Sequence, residues 1–334
     1  MSSRIKLLIL SNQIIDSHGK GNPIIYNYIQ SFNNNESLDV KFNSIKYFKD
    51  ILNCWKIIKN EKFDIVHIHF GGLNCLLIVL LIANRALKVV TFHGTDIHGG
   101  GTLKETGLKK YIKNRINKFF STICIFLIDE VGLVAKNLEN YLPYKRKYFV
   151  DKLGVDDLVF NPDLYNKNKF RLRIGLSLEK KYFLFSSISN SIIKRFDIAK
   201  SIIDNLGDKK YEIIKMNNVK STEVPNYLSA CDYVLITSDK EGSPNIVREA
   251  LLMNKPIFSV DCGDVKDQIK HSKSSIIISR NPDIAFKQIL KQIKFIQKNK
   301  NNDRKIYLDK IAWRMIKKQK IKFYCNLLKD KNEK

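Results

Sequence analysis

The sequence lacks any apolar run long enough to cross a bilayer. Its longest, LNCLLIVLLIA at 73 to 83, falls well short of the roughly 20 residues a spanning helix needs and predicts a buried helix instead. Cysteines at metal-ligand spacing are lacking too: Cys54, Cys75, Cys124, Cys231, Cys262 and Cys325 are scattered without a CxxC pair or a histidine at ligand spacing. That argues against structural zinc and predicts reduced thiols in a reducing compartment. The opening MSSRIKLLILSNQ has too short an apolar core for a signal peptide and no small-residue cleavage site, so a first strand is expected there. Neither a short-period repeat nor a GxGxxG fingerprint is present.

Negative charge is scarce, with 33 Asp and Glu against 58 Lys and Arg, a formal net charge of +25. Such a field attracts anions: nucleic acid, a phospholipid surface or a phosphorylated small molecule. The lysines form no compact block, so a general Lys, Asn and Ile bias accounts for the charge equally well. What the chain does have is 44% hydrophobic and 10% aromatic residues, the composition of a folding chain. Its 334 residues exceed what one core comfortably supports, which predicts two domains.

Short apolar runs alternate with longer helical patterns, the signature of parallel sheets covered on both faces. Runs at 5 to 10, 63 to 70, 88 to 93 and 130 to 135 read as strands of a first domain. Those at 182 to 187, 211 to 216, 233 to 237 and 256 to 261 read as strands of a second. Polar and turn residues at 153 to 169 mark a hinge. The expected division is 1–158, 159–305 and a Lys-rich helical tail at 306–334 crossing back to the first domain, with Ile311, Met315, Ile321 and Leu327 as its packed face.

The segment EGSPNIVREA, 241 to 250, places Glu241 and Glu249 on either side of a helix start. Ser243 suits the N-cap and Pro244 the first helical position, where a missing N–H costs nothing. A helix N-terminus offers unpaired amides and about half a positive charge to a phosphate. A carboxylate close by matches the vicinal hydroxyls of a sugar. Taken alone, the two acids fit equally a dipole-stabilising glutamate and an ordinary surface acid.

The wider run, SACDYVLITSDKEGSPNIVREALLMNKPIFSVDCGDVKDQI at 229 to 269, resembles the C-terminal signature of the retaining family-4 (group 1) glycosyltransferases. That resemblance implies α/β architecture of the GT-B kind: two Rossmann-like, doubly wound parallel-sheet domains facing a cleft, an N-terminal one for the acceptor and a C-terminal one for a nucleotide-sugar. It implies that Glu249 binds the donor ribose and Glu241 the donor sugar, with Gly242, Ser243, Pro244, Asn245 and Ile246 facing sugar and diphosphate. Upstream, 182 to 202 is similar to the family's first C-domain strand and phosphate loop, with Lys194 at its lysine position, where an ammonium can neutralise the departing diphosphate. The family's partner arginine is missing after the strand, where Ser187 and Asn190 stand, and Arg195 is the candidate substitute.

In the first half TFHGTDIH, 91 to 98, resembles the family's His-Gly-Ser/Thr-Asp segment. This implies that His93 faces the anomeric centre and that Gly94 and Asp96 lie on the acceptor side. His93 also fits a satisfied core histidine, as do His67 and His69. Gly19 and Gly21, in HGKGNP after the first strand, would let backbone approach an acceptor or phosphate, or form an ordinary loop. Asp261 and Asp264 read as turn residues. In GLKKYIKNRINKFF, 107 to 120, Leu108, Tyr111, Ile112, Ile116, Phe119 and Phe120 fall near one helical face. That describes a basic amphipathic helix suited to an anionic bilayer, or a helix packed on the sheet with a solvated charged face.

The expected function is sugar transfer with retention from a nucleotide-sugar to a hydroxyl of a glycan or lipid-linked acceptor, in surface polysaccharide biosynthesis. No metal or other cofactor and no nucleic-acid partner are expected. The expected place is the cytoplasm, at the inner face of the membrane. The alternatives are another GT-B enzyme, such as a nucleotide-sugar epimerase or a phosphorylase, and a basic nucleic-acid-binding protein. The latter calls for a basic stripe with stacking aromatics, which the sequence lacks.

Overall fold

The computed structural model describes residues 4–12, 32, 37–83, 85–187, 192–207, 209–299 and 302–332. They form two compact units, one of Met1–Gly154 with Trp313–Lys334 and one of Val155–Ala312.

The sheet of the first unit is parallel, in the order β2 (Leu38–Ser44), β1 (Ile5–Ser11), β3 (Ile65–His69), β4 (Leu87–Phe92), β5 (Glu130–Leu133), β6 (Tyr148–Val150). All five residues of β3 are buried because helices cover both faces, so its apolar residues need no alternation. Leu73–Ile82 is the helix expected from the longest apolar run, buried through Cys75, Leu76, Ile78, Val79 and Ile82. The helix Trp313–Asn332 packs through Trp313, Ile321, Tyr324 and Leu327 against the core around Leu7, Ile9 and Val89.

In the second unit the parallel order is β11 (Ile276–Ile278), β10 (Ile257–Val260), β9 (Tyr233–Ile236), β7 (Lys181–Ser187), β8 (Tyr211–Asn217). The order reverses between β1 and β3 in one sheet and between β7 and β9 in the other. Open α/β sheets bind ligands beyond the carboxyl ends of the strands at that reversal.

All eight strands expected from apolar runs are present within two residues of their expected ends. β2, β6 and β11 were not expected. They are edge strands, β2 with a mostly half-exposed pattern and the others only three residues long, so none produces an apolar run. The six cysteines form no disulfide; five are buried. Burial pushes the Cys54 and Cys262 thiols up to about 12.

Candidate functional site

In the second unit, the loops after β7 and β9 flank the reversal point. They are tied to each other through backbone: the Asp239 N–H donates to the Ile193 carbonyl at 2.8 Å, and the Thr237 hydroxyl lies 3.0 and 2.8 Å from the carbonyls of Lys194 and Arg195. Lys194 ends a short 3-10 turn, Ile192–Lys194. From there its Nζ donates to Glu241 Oε1 at 2.5 Å, both groups being part-exposed, 27% and 15%. Arg195 takes a left-handed φ of 53°. Its guanidinium donates to Asp197 at 2.7 Å and reaches Asp239 at 3.5 Å, so two acids already answer its charge. Ser187 ends β7, and its side chain, like Asn190, lies outside the described residues.

The helix Asn245–Leu252 starts one residue later than the sequence predicts, with Pro244 at the N-cap position and no side chain capping it. Ser243 is not the cap. Its hydroxyl donates to Asp264 Oδ2 at 2.8 Å and accepts from Arg248 Nη1 at 2.6 Å. Arg248 is buried one turn into the helix, and it also donates to Asn245 Oδ1, which draws the segment back onto the helix. Gln268 Nε2 donates to Asp264 Oδ1 at 2.6 Å and completes the cluster. The first-turn amides are thereby left without a side-chain acceptor, the arrangement that suits an anion.

Gly263 seats this loop. At φ +58° it holds a conformation that residues with a Cβ rarely adopt, and a Cβ there would lie 2.6 Å from the Gly242 carbonyl oxygen and 2.9 Å from Glu241 Cβ. The adjacent Asp264 N–H donates to that same carbonyl at 3.2 Å. Ile246 packs partly buried against the core. Glu249 is half-buried and its carboxylate makes no hydrogen bond among the described residues. Burial pushes it up to about 7, against the pull of the Arg248 charge.

The first unit holds a different cluster. His93 follows β4, and its backbone N–H and that of Gly94 donate to Asp96 Oδ1 at 3.0 and 2.8 Å, while the Gly71 N–H donates to Oδ2 at 2.9 Å. Asp96 is buried and both its oxygens are engaged by backbone, so it holds the His93 loop; the acceptor-facing role expected of it meets a carboxylate turned inward. His93 Nε2 lies 3.1 Å from His69 Nδ1, and its ring stacks on Phe70 at 3.9 Å between centroids. Deeper, His67 touches Tyr324 and Thr91, and Thr91 and Lys320 both donate to Asp151. Burial pushes His67 down to about 4, the neutral form, against the pull of Asp151. At Asp151 burial acts upward, but the Lys320 ammonium overrides it and holds the carboxyl well below its usual range.

His67, His69 and Asp151 bring ligand atoms within 4.8 Å of one another. A cation there would have to displace the Lys320 ammonium and break the hydrogen bonds of His67. Gly19 and Gly21 lie outside the described residues.

The helix Leu108–Leu127 buries two polar residues, Asn114 and Ser121, and packs Cys124 and Ile125, with Phe120 and Ile123 beside them, on the core. A Cβ on Gly71 would stand 2.2 Å from Ser121 Oγ, and one on Gly100 2.3 Å from Asn114 Nδ2, so glycines let these two polar residues approach the loops closely. Leu108, Ile112, Ile116 and Phe119 are 47% to 64% exposed, beside exposed Lys109, Lys110 and Lys113. The helix thus packs on the core through Phe120, Ile123, Cys124 and Ile125 and leaves this stripe exposed. No described helix is long and apolar enough to cross a membrane.

Sequence reasoning missed Arg248, Gln268, Asp151, Lys320 and Tyr324. Only Arg248 left a signal, a charge inside the apolar run NIVREALL.

Two family models match the chain, "Glycosyl transferase 4-like" over residues 14–125 and "Glycosyl transferases group 1" over 198–294, together more than half of it. A Bacillus subtilis glycosyltransferase named for teichuronic acid biosynthesis is 23% identical over 60% of this chain, and the match spans only 54% of that protein. The Escherichia coli UDP-Gal:alpha-D-GlcNAc-diphosphoundecaprenol alpha-1,3-galactosyltransferase is 24% identical over 71% of this chain and 68% of its own. Among solved structures, sucrose-phosphate synthase of Thermosynechococcus elongatus superposes with a TM-score of 0.73 at 10% identity, covering 98% of this chain and all of that one. An Anabaena protein, HepE, solved with UDP and glucose, superposes at 0.65 and 13% identity over 96% of this chain and all of its own. These likenesses give the fold, GT-B.

Proposed function

Because the chain belongs to the group 1 glycosyltransferases, we propose that it moves a hexose from a nucleotide-sugar to a hydroxyl of a lipid-linked or glycan acceptor in surface polysaccharide assembly. The observation that carries the reading is the pairing of an uncapped helix N-terminus with Lys194, Glu241 and Glu249 in one unit, at the reversal of its sheet. A diphosphate carries two or more negative charges and needs donors where charge grows as the bond breaks. The first-turn amides and the Lys194 ammonium supply them without a metal ion. Glu241 and Glu249 then accept hydrogen bonds from the hydroxyls of the sugar and the ribose. The carbon–oxygen bond to the diphosphate breaks, the acceptor oxygen bonds the same carbon on the same face, and the acceptor proton passes to the leaving phosphate oxygen. His93 stands at that carbon in this reading, and Asp96 holds its loop. Uridine diphosphate is the favoured carrier, because the Escherichia coli relative is named for a UDP-sugar and HepE was solved with UDP.

The test is a thermal-shift screen of nucleotide-sugars followed by transfer to polyprenyl-diphosphate-linked sugars, with and without EDTA. The reading requires a selective donor, a product with unchanged anomeric configuration, and activity that survives chelation. A release of free altered nucleotide-sugar without transfer would favour the epimerase reading and overturn this one.

The exposed stripe Leu108, Ile112, Ile116 and Phe119 with its lysines supports contact with an anionic lipid surface at the inner face of the membrane. Sedimentation with vesicles rich in phosphatidylglycerol should carry the protein down, and Ile112→Asp with Ile116→Asp should leave it in solution. Equal sedimentation of wild type and double variant would remove the stripe from the account.

A further inference from the structure

We propose that the C-terminal helix sets the working position of His93, with Tyr324 acting through His67 and His69 as a positioning residue. This rests on the reading that His93 stands at the reacting carbon.

The hydrogens of the buried network follow from elimination. Asp151, held charged by Lys320, can only accept, so the Thr91 hydroxyl 2.6 Å away must donate to it. Thr91 Oγ then has only lone pairs to offer, and His67 Nε2 at 2.8 Å must carry the hydrogen between them. A neutral imidazole protonated there leaves Nδ1 as an acceptor, and the Tyr324 hydroxyl donates into it at 2.6 Å. Every link points one way: Tyr324 to His67, His67 to Thr91, Thr91 to Asp151. Turning the His67 ring over would put carbon where Nδ1 and Nε2 stand and leave the Tyr324 and Thr91 hydroxyls without these partners, a conformation the interior disfavours.

The fixed ring is then read outward. His67 and His69 stack at 4.5 Å between centroids with 24° between planes, so the plane of one restrains the other. His69 Nδ1 meets His93 Nε2 at 3.1 Å, which fixes one edge of the His93 ring. Phe70, the next residue, holds a left-handed φ of 72° that bulky side chains rarely adopt, and from there its ring covers a face of His93 at 3.9 Å and 20°. Edge and face of the imidazole are both set by consecutive residues of β3 and the turn after it. The strain at Phe70 persists because neighbours over-determine the turn: its N–H donates to the Thr91 carbonyl at 3.0 Å. Catalytic groups displaced by about 1 Å can lose on the order of a hundredfold in rate, so such a restraint matters to turnover.

Tyr324→Phe removes one oxygen and keeps the ring that meets Phe32 edge-on at 6.4 Å. It is expected to lower kcat about tenfold on the nucleotide-sugar selected by the screen, with KM for that donor unchanged, since the donor groups lie in the other unit. In 15N-histidine spectra of the full chain, which need no substrate, the His67 ring nitrogens should change and the His93 signals move with them. Wild-type kcat together with unmoved His93 signals would overturn the proposal. His93→Ala separates the two levels: if it retains activity, the placing of His93 at the reacting carbon fails. If it is dead while Tyr324→Phe is unaffected, only the positioning fails. Should Tyr324→Phe fold poorly, Thr91→Val breaks the same chain and Thr91→Ser restores it. A serine variant with wild-type kcat beside a slow valine variant supports the proposal, and equal rates for the two overturn it.

Discussion

In the first unit Lys320 and Asp151 are both buried, and each is matched by the other and by hydrogen bonds that run on through Thr91 and His67 to Tyr324. In the second unit Glu249 is half-buried with no hydrogen bond to its carboxylate among the described residues, and Lys194 and Glu241 pair where solvent still reaches them. The same residue types thus do opposite work. A closed network stabilises its fold and fixes geometry, whereas acids whose lone pairs are uncommitted weaken the fold and wait for a ligand. Removing parts of the first should show in stability. Removing parts of the second should show in binding, with the fold unharmed or improved.

The largest effect belongs to Lys320→Met. It strands the Asp151 carboxylate in the core, and breaking a buried pair from one side costs about 3–5 kcal/mol. Urea unfolding at pH 7.5 should show that loss, while the folded fraction binds UDP as the wild type does. A cost under about 1 kcal/mol would mean that Asp151 is less enclosed than the contrast requires.

Next in size is the response of that network to acid. His67 is held down at about 4 when folded, against 6.5 for the ordinary group. Between those values the unfolded chain takes up a proton that the folded one refuses, so stability is fully present above 6.5 and falls as pH drops towards 4. The full window is worth about 3 kcal/mol. Other groups titrate there too, so the measurement is the difference in unfolding free energy between wild type and His67→Asn across pH 7 to 4.5. The variant should show the shallower slope, and parallel curves would sink the assignment.

The reach of sequence reasoning divides along the same line. Strands inside the sheets give continuous apolar runs, so β1, β3, β4, β5, β7, β9 and β10 were legible, and so was the edge strand β8, which is seven residues long and buries Tyr211, Ile214 and Met216. The edge strands β2, β6 and β11 were not, because pairing on one side needs only a short or half-polar segment. In the second unit the site is local: Glu241 to Glu249 is one stretch of chain, and Lys194 sits one loop away across the reversal. The first unit's network joins residues far apart in sequence, His67 with Tyr324 and Asp151 with Lys320, and no spacing rule connects them. Ser243 shows a third kind of miss. As a residue type it predicts a cap, but Asp264 and buried Arg248 compete for its hydroxyl and win.

Glu249→Gln should divide activity from stability. A neutral amide weakens charge-assisted hydrogen bonds to a sugar diol, worth about 1.5–3 kcal/mol, so kcat/KM for the donor should fall roughly 10- to 150-fold. Stability moves the other way. The folded carboxyl sits at about 7 against 4.5 for the ordinary group, so the folded state keeps its proton longer and loses stability as pH rises through that window. The amide escapes this penalty, and Glu249→Gln should unfold at higher urea than wild type at pH 8, by about 3 kcal/mol, the two converging near pH 4.5. Equal stability at pH 8 would show that the carboxylate is better solvated than its burial implies.

Gly263→Ala probes the border between the two behaviours, since Gly263 touches no ligand in any reading above yet lies against the Glu241 loop. Two costs arise from one methyl group. The left-handed backbone disfavours a Cβ by about 1–2 kcal/mol, and at φ +58° the methyl would lie 2.6 Å from the Gly242 carbonyl oxygen. That carbonyl is backbone and cannot swing aside as a side chain would, so the loop must shift as a whole and carry Glu241 with it. The Lys194 contact at 2.5 Å leaves little room for such a shift. A loss of stability should therefore come with a rise in KM for the donor, whereas a purely structural glycine would lower the melting temperature and leave KM alone. Adding the methyl to Gly175, also at positive φ but with nothing within 4 Å of where its Cβ would stand, isolates the backbone cost. If the two alanine variants behave alike in both measurements, the close approach of the turn to the Glu241 loop has no functional weight.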